Sequence, residues 1–220
     1  MDASPTRAGV SEPFRVAYVR GVTPTKWARI WRDRRRDRAL DLMLTDADQV
    51  DVLHDGRAQM AFVRLPIDRS GLHVIPLYEE VAVVVVAADH AIAAFDEVAA
   101  ADLEGETIHD STGDIDDLFA LIAAGVGVAI VPHSIARLHA RRDVIARPVT
   151  DAPSTQIALA WLEQTDADAS TIDDFIGIVR GRTARSSRGA AAEPTAPAPA
   201  RNAKRPRQST PRARKTKPRR

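Results

Sequence analysis

Short apolar runs alternate along this chain with longer segments whose apolar residues share one helical face. The first kind of run predicts strands and the second predicts helices. In the first half the predicted strands are Phe14–Val19, Leu40–Leu44, Gln59–Val63, Leu72–Leu77 and Val81–Ala87. Helices are predicted from Pro24 to Arg36, with Thr23 as N-cap, and from Asp46 or Asp48 to Gly56. This β-α-β-α-β order predicts a parallel sheet with helices on both faces.

The second half continues the alternation with shorter elements. A helix is predicted over Asp114–Ala124, with Leu118, Leu121 and Ile122 pointing inward and Gly125 at its end. The remaining predicted elements are a strand at Val126–Val131, a helix at Ser134–Arg141, a strand at Ala158–Leu162 and a helix at Ser170–Arg180.

Composition changes abruptly at Gly181. From there to Arg220 the chain has 13 Lys and Arg, one acid (Glu193), six prolines and no large apolar residue, a net charge of +12. Such a segment has no apolar surface to bury and is predicted to be disordered. Residues 1–12 are short and polar, and we expect them to be disordered as well. Residues 13–180 carry the apolar pattern and are predicted to fold.

Several classes of site are disfavoured by the residues present. The chain has no cysteine, which excludes disulfides, thiol nucleophiles and thiolate metal sites. Its six histidines include no pair at the i, i+4 spacing of a helical metal site, and there is no G-x-S-x-G nucleophile motif or strand–glycine–helix phosphate loop. We therefore predict no metal, no cofactor, no catalytic residue and a protein that is not an enzyme.

Helix starts after strands are the favoured ligand-binding positions. In open α/β sheets, ligands bind beyond the carboxyl ends of strands, where helix N-termini present N–H groups. Three such corners are predicted, at Val22-Thr23, Thr45-Asp46 and Gly113-Asp114. Hydroxyls and backbone donors suit a small carboxylate, although plain N-capping explains any single corner and Asp114 counts against an anion at the third.

The basic segment after Gly181 is predicted to contact nucleic-acid phosphates without sequence preference, because it has no aromatic residue for base stacking. A solvated, solubilising tail is the alternative. The candidate contacts are Lys204, Arg205, Arg207, Arg212, Arg214, Lys215, Lys217, Arg219 and Arg220. With no secretory signal and no apolar run longer than Val81–Ala88, we expect a cytoplasmic protein and no membrane contact.

Four stretches in order resemble the effector-binding domain of LysR-type transcriptional regulators, which has a type 2 periplasmic-binding-protein fold. They are FRVAYVRGVTPT, VDVLHDGRAQMAFVRLP, LYEEVAVVVVAADHAIA and LFALIAAGVGVAIVPHSIA. The resemblance covers about Phe14 to Arg180. It implies subdomain I at residues 14–79 and 164–180, subdomain II at 80–163, and an effector cleft between them.

The resemblance also implies site residues and partners. The implied effector-binding residues are Val22, Thr23, Thr45, Arg64, Asp114, Ile115 and Pro132. The first helix and a strand of the other subdomain would form an antiparallel interface in a homodimer, or in a heterodimer with a LysR-type protein. The family's N-terminal helix-turn-helix has no counterpart here, and the segment between Glu106 and Gly113 is short, so we expect an abbreviated second subdomain.

These patterns lead to one preferred function and two alternatives. The preferred function is effector sensing by a LysR substrate-binding module linked to transcriptional regulation, with non-specific DNA contact through the basic tail. The first alternative is a degenerate LysR-like interaction partner or nucleoid-associated protein that binds no effector. The second is an unrelated enzyme on the same fold.

Overall fold

The computed structural model describes residues 12–165 and 167–181, and these residues form two lobes, each built around its own sheet. The predictions for residues 1–11 and for the basic tail from residue 182 onward lie outside the described residues. Where the chain is described, no helix has the length and apolar character needed to cross a membrane.

The first lobe is built on a five-stranded mixed sheet in the order β2-β1-β3-β9-β4. Its strands are β1 (Phe14–Val19), β2 (Leu40–Thr45), β3 (Met60–Leu65), β4 (Leu72–Glu80) and β9 (Thr155–Leu162). The first three strands pair in parallel, whereas β9 pairs antiparallel with both β3 and β4. The expectation of a parallel sheet is therefore wrong only for β9, because the chain returns from the second lobe and enters this sheet in the opposite direction, whereas β4 runs the same way as β1, β2 and β3.

Three helices cover the first sheet: α1 (Thr25–Arg34), α2 (Asp51–His54) and α5 (Ala169–Val179). Both α1 and α5 pack on one face through a fully buried aromatic cluster. The Phe175 ring lies 5.6 Å from Phe14, 5.8 Å from Trp31 and 6.0 Å from Phe62, each in edge-on geometry. Aromatic pairs prefer this arrangement because a ring edge is positive and a ring face is negative.

The second lobe is built on a four-stranded sheet in the order β6-β7-β5-β8. Its elements are β5 (Ala82–Ala87), β6 (Ile108–His109), α3 (Ile115–Ala123), β7 (Val128–Pro132), α4 (His133–Leu138) and β8 (Val144–Pro148), with short 3-10 helices at Ala91–Ala94 and Ala100–Leu103. Every residue of β5 is buried. Side chains from alternate positions enter two separate apolar clusters, one on each face of the sheet. Burial on both faces explains why this strand is a continuous apolar run.

The chain crosses between the lobes twice, from β4 to β5 and from β8 to β9. The second lobe is thus continuous in sequence, and the first is completed by segments on both sides of it. Sheet pairing places β9 in the first lobe, which corrects the predicted boundary that put residues 155–162 in subdomain II.

Local details also differ from the sequence-based expectations. Helix α1 begins after Pro24, with no side-chain cap, so Thr23 is not its N-cap. Helix α2 starts only at Asp51, and no helix begins at Asp46 or Asp48. Leu121, which the apolar pattern predicts to point inward, is 40% exposed, because Phe119 occupies the buried side of α3 instead.

Candidate functional site

A cavity of about 650 Å³ opens between the two lobes. In the first lobe, the lining residues lie at or just beyond the carboxyl ends of β1, β2 and β3. In the second lobe, they lie in the segment leading into α3, at the end of β7 and at the start of α4. Its lining residues are Val19, Arg20, Asp46, Ala47, Gln49, Arg64, Leu65, Pro66, Ser111, Thr112, Gly113, Asp114, Ile115, Val131, Pro132 and Ile135. This position beyond strand ends is the usual one for ligands in open α/β sheets.

Arg64 lines the cavity, and hydrogen bonds hold both its backbone and its side chain in place. The Gln49 side-chain amide accepts from the Arg64 N–H at 2.8 Å and donates to the Arg64 carbonyl at 3.2 Å. The guanidinium Nε donates to Glu80 Oε2 at 2.6 Å, and Nη2 donates to the Arg20 carbonyl at 2.9 Å. Two of the three guanidinium nitrogens of Arg64, Nε and Nη2, therefore already have protein acceptors.

Glu80 is 5% exposed and lies at the first crossing between the lobes. Besides Arg64, it accepts hydrogen bonds from the Ser134 hydroxyl of α4 and from the Thr155 hydroxyl of β9, the latter at 3.1 Å. Burial on its own raises the pKa of Glu80, but the hydrogen bonds from Arg64 and Ser134 and the charge of Arg64 outweigh it and hold the pKa below its ordinary value. We call Arg64, Glu80, Ser134 and Thr155 the interlobe junction, because it joins elements of both lobes.

Gly21 brings the backbone of the first lobe against this junction. Its φ is +89°, and a Cβ at this position would lie 2.9 Å from Ser134 Cβ and 3.3 Å from Arg64 Nη2. Only a residue without a Cβ combines this backbone conformation with so close an approach.

Arg20 lies at the mouth of the cavity among three carboxylates. Its Nε donates to Asp46 Oδ2 at 2.8 Å, and its Nη1 lies 3.9 Å from Asp116 Oδ2 in the other lobe. The hydrogen bond and charge of Asp46 raise the pKa of Arg20, and the charges of Asp116 and Asp114 raise it further. We call Asp46, Asp114 and Asp116 the acidic rim.

The N-terminus of α3 is capped by its own chain. Asp114 Oδ1 accepts from the N–H groups of Asp116 at 2.8 Å and Asp117 at 3.2 Å. These are the groups that an anionic ligand at a helix N-terminus uses, and here they have a carboxylate partner already.

Comparison with known proteins decides the family. The model of the LysR substrate binding domain matches residues 9–109 and 111–184. The chain belongs to the LysR substrate-binding domain family. The HTH-type transcriptional regulator CatR of Pseudomonas putida is 31% identical over 144 residues, which cover 51% of this chain and 49% of CatR. The chain thus spans about half the length of this curated relative.

Solved structures show the same fold. The BenM effector binding domain with its effector benzoate superposes with a TM-score of 0.63 at 19% identity, covering 84% of this chain and 97% of that chain. A full-length BenM mutant gives a TM-score of 0.65 at 20% identity, covering 86% of this chain and 72% of that chain. The reduced form of the OxyR regulatory domain from Pseudomonas aeruginosa gives a TM-score of 0.62 at 17% identity, covering 78% of this chain and 98% of that chain. The predicted type 2 periplasmic-binding-protein-like fold is confirmed.

The cavity of this LysR domain contains four of the seven residues predicted to bind effector: Arg64, Asp114, Ile115 and Pro132. The other three lie outside its lining. Val22 is buried in the first-lobe core, Thr23 is exposed, and the buried Thr45 hydroxyl donates to Asp48.

Sequence reasoning missed the polar residues that organise the cavity. Arg20, Gln49, Glu80 and Ser134 are absent from the predicted set. Some signal was available: Arg20-Gly21 directly follows a predicted strand, and Glu80 directly precedes the most apolar run of the chain. In the described part of the chain, no group of three or more His, Asp or Glu residues is arranged to hold a metal ion.

Proposed function

We propose that this chain is a non-enzymatic LysR-type module that binds a small organic effector between its lobes and thereby takes part in transcriptional regulation. The observation that carries the proposal is the cavity of about 650 Å³, within the size range of small-molecule sites and bounded by both lobes. A ligand that contacts both lobes favours their closed arrangement, because it binds that arrangement more tightly than an open one.

The relatives support this proposal. BenM is described with benzoate as its effector, and CatR is described as a transcriptional regulator. Neither is described as an enzyme. We carry effector binding and a regulatory role from them to this chain as a proposal.

Binding is tested by isothermal titration and thermal shift against a panel of small aromatic and aliphatic acids, amides and amines. Ile115→Trp should abolish any binding, because Ile115 is half-buried and lines the cavity. Leu138→Trp is the matched control, since Leu138 is 57% exposed and lies outside the cavity lining. No binding by any compound, or binding that survives Ile115→Trp, would contradict effector sensing.

We further propose that the protein is cytoplasmic and that its basic tail contacts DNA non-specifically. The residues concerned are Lys204, Arg205, Arg207, Arg212, Arg214, Lys215, Lys217, Arg219 and Arg220. If all nine contact duplex phosphates, the slope of log K against log salt should approach about −8.

Deleting residues 182–220 should remove DNA retention at low salt, and a variant with these nine residues changed to Gln controls for tail length. Retention by the truncated chain would refute the tail assignment. If the full chain retains DNA but no compound of the panel binds, the alternative is favoured: a LysR-like interaction partner or nucleoid-associated protein.

A dimer is the third part of the proposal, either a homodimer or a heterodimer with a LysR-type protein. It rests on the family resemblance, which pairs α1 of one copy with a strand of the partner's second lobe. Sedimentation equilibrium of the purified chain should show a dimer, and a monomer at high micromolar concentration would exclude the homodimer.

A further inference from the structure

The charges at the cavity mouth are unbalanced towards the negative. In the described part of the chain, Arg20 is the only Arg or Lys with an ion pair to the acidic rim, and it is shared by Asp46 at 2.8 Å, Asp116 at 3.9 Å and the nearby charge of Asp114. The second cation of the cavity, Arg64, is neutralised by Glu80 at 2.6 Å. His139 also approaches the rim, since its Nδ1 lies 3.1 Å from Asp116 Oδ1.

Several of the groups that would bind a carboxylate ligand are already hydrogen-bonded within the protein. Arg64 donates to Glu80 and to the Arg20 carbonyl. The Gln49 side-chain amide accepts from the Arg64 N–H and donates to the Arg64 carbonyl. The first N–H groups of α3 donate to Asp114. A carboxylate ligand would have to use the remaining donors, such as Arg64 Nη1, and would also face the acidic rim.

The acceptors of the cavity are also incompletely used. Both hydrogen bonds to the Asp114 side chain go to Oδ1, so Oδ2 has no hydrogen-bond partner among the described residues. An unused carboxylate oxygen at the edge of a cavity is a strong acceptor for an ammonium or amidinium group. Beside it the apolar side chains of Leu65, Pro66, Ile115 and Ile135 offer contact to a hydrocarbon body.

We infer that the interlobe cavity selects a small organic cation, an amine or amidine on an apolar body, over the corresponding carboxylate. The cationic group pairs with Asp114 and shares the acidic rim with Arg20. This inference rests on the proposed function, and it names the class of effector that the same cavity accepts.

Ligands of nearly the same size and shape that differ in charge show the effect of charge on affinity. Benzamidine, benzamide and benzoate present a cationic, a neutral and an anionic planar group on the same ring, and pentylamine, pentan-1-ol and pentanoate repeat the series on an alkyl chain. Isothermal titration of the full chain at pH 7 should give the cation of each trio at least about tenfold tighter binding than its anion, equivalent to about 1.4 kcal/mol. Raising the salt concentration should reduce the ratio, because the rim is solvent-accessible.

Asp114→Asn tests the assigned carboxylate without removing the helix cap, because Asn caps helices about as well as Asp. It should reduce the cation-to-anion ratio several-fold while leaving the affinity of the neutral ligand nearly unchanged. Asp96→Asn is the matched control, an exposed acid outside the cavity lining, and it should leave the ratio unaltered.

The outcomes separate the two proposals. Tighter binding of the anions, or a cation preference that Asp114→Asn leaves intact, would overturn the inferred class while keeping the cavity as a sensor site. If no ligand of the two trios or of the wider panel binds, the effector-binding function is overturned, and the inferred effector class with it.

Discussion

Removing the buried charge of Glu80 should destabilise the protein far more than removing an exposed one. The carboxylate is 5% exposed and receives two hydrogen bonds from Arg64 and one each from Ser134 and Thr155. Glu80→Gln keeps the shape but leaves the Arg64 guanidinium without its counter-ion. Breaking a buried ion pair in this way costs about 3–5 kcal/mol, and we expect about 3 because the amide oxygen still accepts one hydrogen bond. That is a large part of a total stability of about 5–15 kcal/mol.

Urea unfolding measures this loss. All three tryptophans, Trp27, Trp31 and Trp161, lie in the first lobe, so their fluorescence reports that lobe and far-UV circular dichroism reports both. With a denaturant slope of about 2 kcal/mol per molar, a loss of about 3 kcal/mol lowers the midpoint by about 1.5 M. Glu79→Gln is the matched control, since Glu79 is an exposed neighbour on the same strand. A Glu80→Gln midpoint within about 0.3 M of the control would refute the assigned role of the interlobe junction.

The pH dependence gives an independent check with a defined sign. Although burial alone raises the pKa of Glu80, its hydrogen bonds and the charge of Arg64 lower the pKa in the folded state. Its contribution is therefore present at pH values above the unfolded pKa of about 4.3 and is lost as the pH falls through the folded value. The gap in stability between the native chain and Glu80→Gln should narrow steadily as the pH is lowered from about 5 towards about 3. A gap that widens on acidification would contradict the sign of this shift.

Three further predictions concern other contacts. Gly21→Ala should cost about 1–3 kcal/mol through backbone strain and collision with Ser134, whereas Gly71→Ala, at a similar φ with open space around it, should cost less in the same urea assay. Phe175→Ala should cost about 3–5 kcal/mol, since this fully buried ring contacts three other aromatic rings, and an effect below about 1 kcal/mol would contradict its place in the core. Hydrogen bonds from a threonine hydroxyl and then an arginine lower the pKa of Asp48 to about 2. Asp48→Asn should therefore lower the melting temperature at pH 7, with a difference that shrinks between about pH 4 and about pH 2; an undiminished difference at the lower pH would exclude this pKa.

The elements of the fold were predictable where local pattern and burial agree. Phe14–Val19 is a strand in the prediction and in the structure. The apolar run from Val83 to Val86 is a strand because both of its faces are buried. The direction of β9 was not predictable, because it depends on pairing with β3 and β4 on the far side of the inserted lobe. The start of α2 was missed because Asp48 forms a turn with the Thr45 hydroxyl before the helix begins.

The site was predictable only in part, for the same physical reason. The family resemblance implied seven effector-binding residues, and four of them line the cavity. The interlobe junction instead joins side chains that are far apart in sequence: Arg64 and Glu80 are 16 positions apart, Ser134 lies 54 and Thr155 lies 75 from Glu80. Spacing within one element gives no information about such pairs.

The interrupted construction of the first lobe has a consequence for biosynthesis. The strands β5 to β8 and their helices form a continuous block that can pack as soon as residue 149 has left the ribosome. The first lobe has to wait, because β9 completes its sheet and Phe175 completes its aromatic core. During translation the second lobe is therefore expected to mature before the lobe that precedes it, reversing the usual order of emergence.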